Sequence, residues 1–257
     1  MKKLYFLILT MILLSCSSKD PLNYGVLIYK CPDTFNNNSS IKYKVSSNDN
    51  HFSLPSSSFQ QIIKKDISRN RVTITVLISN NSINNEKLIP MSFKETRFIT
   101  LKNKEIIKIA QKIMKKHSSV SQRIRAVENF VYNHIKNKEA GISLIPADMV
   151  FTGQSGDCTE HTVLTITLLH IMKIPSKAKI GLILKKGKQN CGSMIFHMWA
   201  QAWNGKKWQY VDSSIPSQSS LPSRYIVLGN HSLKTEMPLS YLKTISAIKH
   251  LQISIIE

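Results

Sequence analysis

The sequence predicts an α+β protein in which a β-rich N-terminal part precedes a domain of mixed helices and strands. Short runs of β-branched residues separated by polar turns occupy roughly the first hundred residues. Beyond Lys102 the apolar residues take helical spacing, and an almost wholly apolar helix follows Cys158. Alternating runs up to Asp212 then predict antiparallel strands. The 257 residues allow one large domain or two small ones.

The first fifteen residues have the features of an export signal. Lys2 and Lys3 precede an apolar run over residues 4–14, which is too short to span a bilayer because a spanning helix takes about 20 residues. The tetrapeptide Leu13-Leu14-Ser15-Cys16 resembles the lipobox of bacterial lipoproteins, in which the cysteine is diacylated and becomes the new N-terminus. This resemblance implies that residues 1–15 are removed and that a lipid on Cys16 anchors the chain to a membrane.

The residues after Cys16 bear on the location of the anchor. Ser17 and Ser18 stand there instead of aspartate, which for this class implies sorting to the outer membrane, facing the periplasm or the surface. An ordinary signal peptide or an uncleaved anchor is the alternative interpretation.

The chain is strongly basic, with 35 lysines and arginines against 15 acidic residues and a formal charge of +20. Loss of Lys2 and Lys3 with the signal lowers this charge to +18. In the cell envelope such a surface suits anionic lipid headgroups, lipopolysaccharide or acidic wall peptides, and a merely solvated basic surface fits equally well. We expect no nucleic-acid partner, because no basic stretch is interleaved with stacking aromatic residues.

Three cysteines follow the predicted anchor, at positions 31, 158 and 191. An odd number in an oxidising compartment implies one unpaired thiol or a pair between two molecules. A disulfide between Cys31 and Cys191 would leave Cys158 free, provided that the fold brings their Cα atoms close enough.

Residues 16–100 are predicted to form the β-rich N-terminal module. Strands are predicted over residues 24–29, 41–45 and 71–79, because β-branched runs there are bounded by Asn- and Ser-rich segments. One helical interruption is predicted over residues 57–67.

Two amphipathic helices are predicted next, one on each side of Ser118-Ser119. Their apolar faces consist of Ile106, Ile107, Ala110, Ile113 and Met114, and then of Ile124, Val127, Phe130, Val131, His134 and Ile135.

A thiol is predicted in the first turn of the following helix, in the stretch Gly156-Asp157-Cys158-Thr159-Glu160-His161. Apolar side chains lie nearly all round this helix from Thr162 to Met172, which indicates that it is buried at the centre of the domain, and Pro175 ends it. The partial positive charge and unpaired N–H groups of a helix N-terminus favour a thiolate. A buried central helix that begins with a thiol is the arrangement of papain-like cysteine enzymes.

A β-hairpin is predicted around Asn204-Gly205, since Asn-Gly between alternating runs is the strongest short-range hairpin signal. A two-residue type I′ turn would set Trp203 opposite Lys206, and this register would set His197 opposite Asp212. Directly opposite Cβ atoms lie about 4.5–5.5 Å apart, which is close enough for an imidazole–carboxylate hydrogen bond.

Cys158, His197 and Asp212 therefore provide a nucleophile, a base and a group that orients the base. The stretch around Cys158, followed by Lys173-Ile174-Pro175, His197-Met198-Trp199-Ala200 and Trp208-Gln209-Tyr210-Val211-Asp212, resembles the transglutaminase-like superfamily and its bacterial branch of cysteine proteases. The resemblance covers residues 106–214 well. One departure is Lys173, which stands where the family commonly has glycine before Ile-Pro.

The resemblance implies a papain-like core with Cys158 on a helix and with His197 and Asp212 on adjacent antiparallel strands. It implies attack on a carboxamide of a protein or peptide, with a thioester that water or an amine resolves and with no cofactor. It also implies that the backbone N–H of Cys158 contributes to the oxyanion hole. Gln154 is a second candidate donor, although its spacing differs from the papain pattern. Hydrolysis is favoured over cross-linking, because the sequence identifies no site for an amine acceptor.

Two other classes of function compete with this interpretation. Cys158, His161, Cys191 and His197 could supply four zinc ligands, although Asp212 would then have no function. The chain could instead be a non-catalytic envelope-binding module that uses its β-rich part and basic surface.

The C-terminal part completes the predicted catalytic domain, residues 101–257. Strands are predicted over residues 224–228 and 251–256, and a helix is predicted over residues 238–248.

Overall fold

The computed structural model of the chain describes residues 26–27, 39–83, 86, 88, 91–139, 144–189, 191–216, 221–234 and 251–256. Its helices are α1 (Lys104–Lys116), α2 (Val120–His134), α3 (Ala147–Gly153) and α4 (Cys158–Ile171). Its strands are β1 (Val26–Leu27), β2 (Ser40–Ser47), β3 (Gln60–Ser68), β4 (Arg71–Ser79), β5 (Asn137–Lys138), β6 (Ser155–Gly156), β7 (Ser176–Gln189), β8 (Cys191–Trp203), β9 (Trp208–Val211), β10 (Tyr225–His231) and β11 (Gln252–Ile256). The α+β class predicted from the sequence is confirmed.

An antiparallel sheet of five strands forms the centre of the protein. Its strands follow the order β1-β8-β7-β10, and β9 pairs with β8 on the edge that β7 leaves open. Ala178 and Ile180 of β7 belong to the core that the four helices cover, whereas Leu182 and Leu184 of the same strand pack against the second sheet. The central sheet therefore carries helices over one part of its length and strands over the other.

The second sheet has the strand order β11-β2-β4-β3. Strands β2 and β4 contain the predicted runs 41–45 and 71–79, so the β-rich N-terminal segment is present as expected. The last described strand, β11, pairs with β2 rather than with the central sheet, with Ile253 opposite Val45. The C-terminal strand thus completes the sheet of the N-terminal segment.

The prediction of a helix over residues 57–67 is wrong, because residues 60–68 form strand β3. This strand pairs along its whole length with β4, from Gln60 opposite Ile78 to Ser68 opposite Arg71. β4 is a continuous β-branched strand whose second edge needs a hydrogen-bonding partner, and this non-local pairing outweighs the weak local preference of residues 57–67.

Helix α4 is the most deeply enclosed element of the described structure. Every residue from Thr159 to His170 is buried, as the apolar residues round the helix predicted. The helix ends at Ile171 with Met172 as its C-cap, and the following Lys173 takes the left-handed conformation with φ of 57°. Lys173 therefore takes a conformation that glycine adopts more readily, at some cost in conformational energy.

Several sequence predictions fall on residues outside the described ranges. These are the export signal, the lipid anchor Cys16, Cys31 and the helix over residues 238–248. Within the described ranges, no helix combines the length and apolar character needed to cross a membrane.

We predict that Ile253→Ala lowers the free energy of unfolding by about 3 kcal/mol, because it removes a core side chain that is 1% exposed. Denaturant unfolding measures the effect, and Gln252→Ala on the exposed face of the same strand serves as the control. Equal stability of the two variants would contradict the packing of β11 against the N-terminal sheet.

Candidate active site

Cys158 lies in the first turn of α4, as predicted, and its side chain is partly exposed. Asp157 caps the helix by accepting hydrogen bonds from the N–H and the hydroxyl of Thr159, both at 2.8 Å. The carboxylate of Glu160 in turn accepts a hydrogen bond from the backbone N–H of Asp157 at 3.0 Å. This capping box fixes the start of the helix and leaves the thiol at its positive end.

Gly156 is required by the geometry in front of the thiol. Its φ of 155° suits glycine, and a Cβ at this position would overlap the Cβ of Glu160. Strand β6, which contains Gly156, runs parallel to β5 with Lys138 opposite Gly156. The Gly-Asp-Cys turn is thereby held between a short strand and a capped helix.

His197 and Asp212 are in direct contact. His197 Nε2 lies 2.7 Å from Asp212 Oδ2, and the two side chains are buried. The sulfur of Cys158 lies close enough to the imidazole to help raise the pKa of His197. The structure therefore brings together the three residues that the sequence nominated as nucleophile, base and orienting carboxylate.

The hairpin that carries this pair differs from the predicted one. Trp203 pairs with Trp208 and Gln201 with Tyr210, so the register is displaced by two residues from the predicted pairing. A four-residue loop replaces the two-residue turn, because Asn204 N donates to Lys207 O and the Asn204 side chain accepts from two backbone N–H groups. Side chains alternate with a period of two, so this displacement keeps His197 and Asp212 on the same face.

Asp212 is held by several donors besides His197. Tyr225 Oη donates to Asp212 Oδ2 at 2.8 Å, and both the hydroxyl and the backbone N–H of Ser214 donate to Oδ1, at 2.6 and 3.0 Å. The backbone N–H of Asp212 donates to the buried carboxylate of Glu128 at 3.0 Å, and Arg125 donates to that carboxylate. Hydrogen bonds to both its side chain and its backbone therefore fix the orientation of Asp212.

The electrostatics favour a charged His197–Asp212 pair. Burial by itself would lower the pKa of His197, but the carboxylate of Asp212 and the sulfur of Cys158 outweigh burial and raise it to about 10. Burial would likewise raise the pKa of Asp212, but the imidazolium and the donors from Ser214 and Tyr225 lower it to about 2. An imidazolium beside the sulfur stabilises a thiolate.

Aromatic side chains enclose the imidazole. The rings of Trp199 and Tyr225 lie 6.2 and 6.0 Å from the His197 ring, and both side chains are fully buried. Tyr210 stacks on Trp199 behind them. These aromatic residues pack the sheet and limit the access of water to the ion pair.

Gln154 is less closely connected with the triad than the other candidates. It ends α3 in the left-handed conformation, and its carbonyl accepts from the N–H groups of Lys136 and Asn137. No described contact joins its side chain to the triad, so its assignment as an oxyanion donor stays a prediction. The backbone N–H of Cys158 belongs to the first turn of α4, where no intrahelical acceptor is available.

The structure also bears on the zinc and disulfide hypotheses. His161 Nε2 contacts Lys138 Nζ at 2.6 Å and His197 Nε2 contacts Asp212, so both nitrogens already have partners. In the described part of the chain, no cluster of three or more His, Cys, Asp or Glu side chains could hold a metal.

The side chain of Cys191 and all of Cys31 lie outside the described part of the structure, so the disulfide between these two cysteines stays a prediction.

Sequence reasoning missed the residues that hold Asp212. A signal for Glu128 was available, because a carboxylate stands among the apolar positions Ile124, Val127 and Val131 of α2. Ser214 follows Asp212 by two residues, the spacing of a local side-chain turn. Tyr225 gave no comparable signal, since only the pairing of β10 with β7 brings it to this site.

We predict that Tyr225→Phe slows the reaction of the thiol about tenfold, because Asp212 loses a hydrogen bond to its charged form. The rate of Cys158 alkylation measures the effect. Tyr210→Phe, which removes the hydroxyl of a buried tyrosine whose ring centre lies 5.3 Å from that of Tyr225, is the matched control. Equal rates for the two variants would contradict this assignment.

A helix-borne thiol on an antiparallel sheet, with an adjacent imidazole–carboxylate pair, defines the class of papain-like folds. Residues 107–213 match the family model of the transglutaminase-like superfamily, and this range contains Cys158, His197 and Asp212. The chain therefore contains a transglutaminase-like domain.

One solved structure extends the likeness of fold beyond the matched range. A candidate cysteine protease from Cytophaga hutchinsonii is similar with a TM-score of 0.51 and 15% identity, over 85% of this chain and 86% of that chain. The periplasmic domain of TgpA from Pseudomonas aeruginosa has a TM-score of 0.47 and 13% identity, over 73% of this chain and 72% of that chain. The comparison with curated proteins gives no match.

Proposed function

We propose that the chain is a cysteine enzyme that cleaves or transfers the acyl group of a peptide or glutamine-type amide. The observation that carries this proposal is the 2.7 Å contact between His197 and Asp212, close enough to the Cys158 thiol for the sulfur to help raise the pKa of His197. These are the groups that nucleophilic acyl chemistry with a thiol requires.

In the proposed first step, the Cys158 thiolate attacks the carbonyl carbon and the carbonyl oxygen becomes an oxyanion. The backbone N–H of Cys158, with Gln154 as the candidate second donor, would bind that oxyanion. The His197 imidazolium protonates the leaving nitrogen, the C–N bond breaks, and a thioester on Cys158 remains. Asp212 keeps its negative charge throughout and holds the imidazole in position.

In the second step, neutral His197 removes a proton from water, which attacks the thioester. The C–S bond then breaks, the carboxylic acid leaves, and the thiolate–imidazolium pair is restored. An amine in place of water would give transamidation by the same path. Hydrolysis is favoured because the sequence identifies no site for an amine acceptor and water is always present.

We propose further that a lipid on Cys16 tethers this activity to the cell envelope, with the catalytic domain facing the periplasm or the surface. The order of residues 2–16 supports this placement. Mass spectrometry of the mature N-terminal peptide tests it, since a diacylglycerol adduct on Cys16 is expected and an unmodified Met1 would contradict it.

The chemistry is tested by labelling and trapping. Iodoacetamide is expected to alkylate Cys158 at mildly acidic pH in the wild type, and His197→Ala should abolish that reaction because the thiolate loses its counterion. Intact-mass analysis after rapid acid quench of a reaction with peptides should reveal an acyl adduct on Cys158. Labelling that does not depend on His197 would refute the mechanism and favour a binding module.

A further inference from the structure

Lys138 brings an ammonium group to the edge of the candidate active site. The residue belongs to β5 and lies opposite Gly156, two residues before the thiol. Its Nζ donates to His161 Nε2 at 2.6 Å and to the carbonyl oxygen of Ser214 at 3.3 Å. His161 stands one turn after Cys158 on α4, and Ser214 contacts Asp212, so the ammonium lies between segments that carry two members of the triad.

The contact with Lys138 defines the state of His161. An ammonium group has only donors, so Nε2 of His161 is the acceptor and the ring proton lies on Nδ1. Burial lowers the pKa of His161 to about 4, and the positive charge of Lys138 acts in the same direction. His161 is therefore a neutral acceptor that holds Lys138, and not a second base.

Lys138 is close enough to the thiol and to Asp212 to interact with both electrostatically. Burial lowers the pKa of Lys138, and the negative charges of Asp212 and Cys158 oppose that shift. Its side chain remains exposed to solvent, with Nζ 5.6 Å from the centre of the Tyr132 ring. His161 and Ser214 take two of the three N–H donors of the ammonium, which leaves one for a further acceptor.

We propose that Lys138 is a carboxylate-binding subsite beside Cys158, so that the preferred substrates carry a carboxylate close to the amide that is attacked. This inference rests on the proposed thiol chemistry. His197 already compensates the charge of the thiolate, whereas the exposed ammonium of Lys138 is accessible to a substrate. The basic net charge, +18 without the predicted export signal, would favour the approach of acidic substrates.

Iodoacetate and iodoacetamide test the subsite, because they alkylate the same thiol and differ mainly in one carboxylate. The second-order rate constants for Cys158 are measured with both reagents at near-neutral pH, at low and at high salt. Lys138→Gln is expected to lower the ratio of the iodoacetate rate to the iodoacetamide rate about fivefold, and salt should reduce this difference. Lys138→Arg should keep most of the ratio.

Lys136→Gln is the matched control, since it removes the same charge from an exposed residue two positions earlier. The iodoacetamide rate serves as an internal control for folding and for the state of the thiol. A ratio that is unchanged in Lys138→Gln, or that falls equally in Lys136→Gln, would overturn the subsite. Equal slowing of both reagents would mean that Lys138 stabilises the thiolate instead, which also overturns it. Absence of His197-dependent labelling in the wild type would refute the proposed thiol chemistry itself, and this result is distinct from a failure of the subsite.

Discussion

Replacement of Cys158 by alanine is expected to lower the rate of amide cleavage by about ten-thousand-fold or more, because no other described group can form the thioester. Cys158 is partly buried at the edge of the core, and alanine is a strong helix former, so the variant should fold normally. A peptide library incubated with each protein provides the assay, and mass spectrometry counts the new termini or the deamidated glutamines. The same experiment identifies the residues that flank the susceptible amide.

The capping box supplies the control for this experiment. Thr159→Ala perturbs the same turn by removing a hydroxyl that contacts Asp157 and Glu160, while it leaves the thiol and the imidazole in place. We expect this variant to retain most of the activity. Cleavage by Cys158→Ala at the wild-type rate would exclude a thioester and would require a different nucleophile.

Replacement of Asp212 by asparagine is expected to slow catalysis about a thousandfold and to move the alkaline limit of activity to lower pH. In the wild type His197 has a pKa of about 10, so the imidazolium persists into alkaline solution and is lost only as the pH rises through that value. Without the carboxylate, burial is the largest remaining influence and lowers the pKa of His197. The thiolate–imidazolium pair then breaks at a lower pH.

The pH profile of amide cleavage measures this change, because the imidazolium is the acid that protonates the leaving nitrogen. The expected cleavage profile for the wild type falls only toward pH 10, whereas that of Asp212→Asn falls at lower pH. Asp66→Asn removes a carboxylate that pairs with Lys64 on the surface of β3 and serves as the control for the change of charge. An alkaline limit that is the same in the wild type and in Asp212→Asn would show that Asp212 does not set the state of His197.

The hairpin illustrates how far local sequence can predict a site. Asn204-Gly205 marked the turn, but the predicted register was displaced by two residues. The structure nevertheless places His197 in contact with Asp212, because a displacement by an even number keeps the same side chains on the same face. The loop length depends on how Asn204 satisfies the backbone N–H groups of Lys206 and Lys207, which strand alternation does not encode.

Long-range pairing was the part that sequence patterns could not supply. Residues 60–68 form a strand because β4 needs a partner, and β11 returns to β2 from the other end of the chain. Both pairings depend on which strand edges still lack a hydrogen-bonding partner after the rest of the sheet has formed. Local propensity contains no information about those edges.

The sequence by itself determined the helix that begins with Cys158, the two amphipathic helices and the strands with His197 and Asp212. Each of these follows from a periodic pattern or a cap within a short segment, where local physics dominates. Only the tertiary structure decided that Tyr225, Glu128 and Lys138 meet at this site, because each comes from a different element and contacts a partner 13 to 84 residues away in sequence. The stretch Gly156-Asp157-Cys158 thus pointed to the candidate nucleophile, and the packing of remote elements supplied the groups that hold Asp212 and the cation near it.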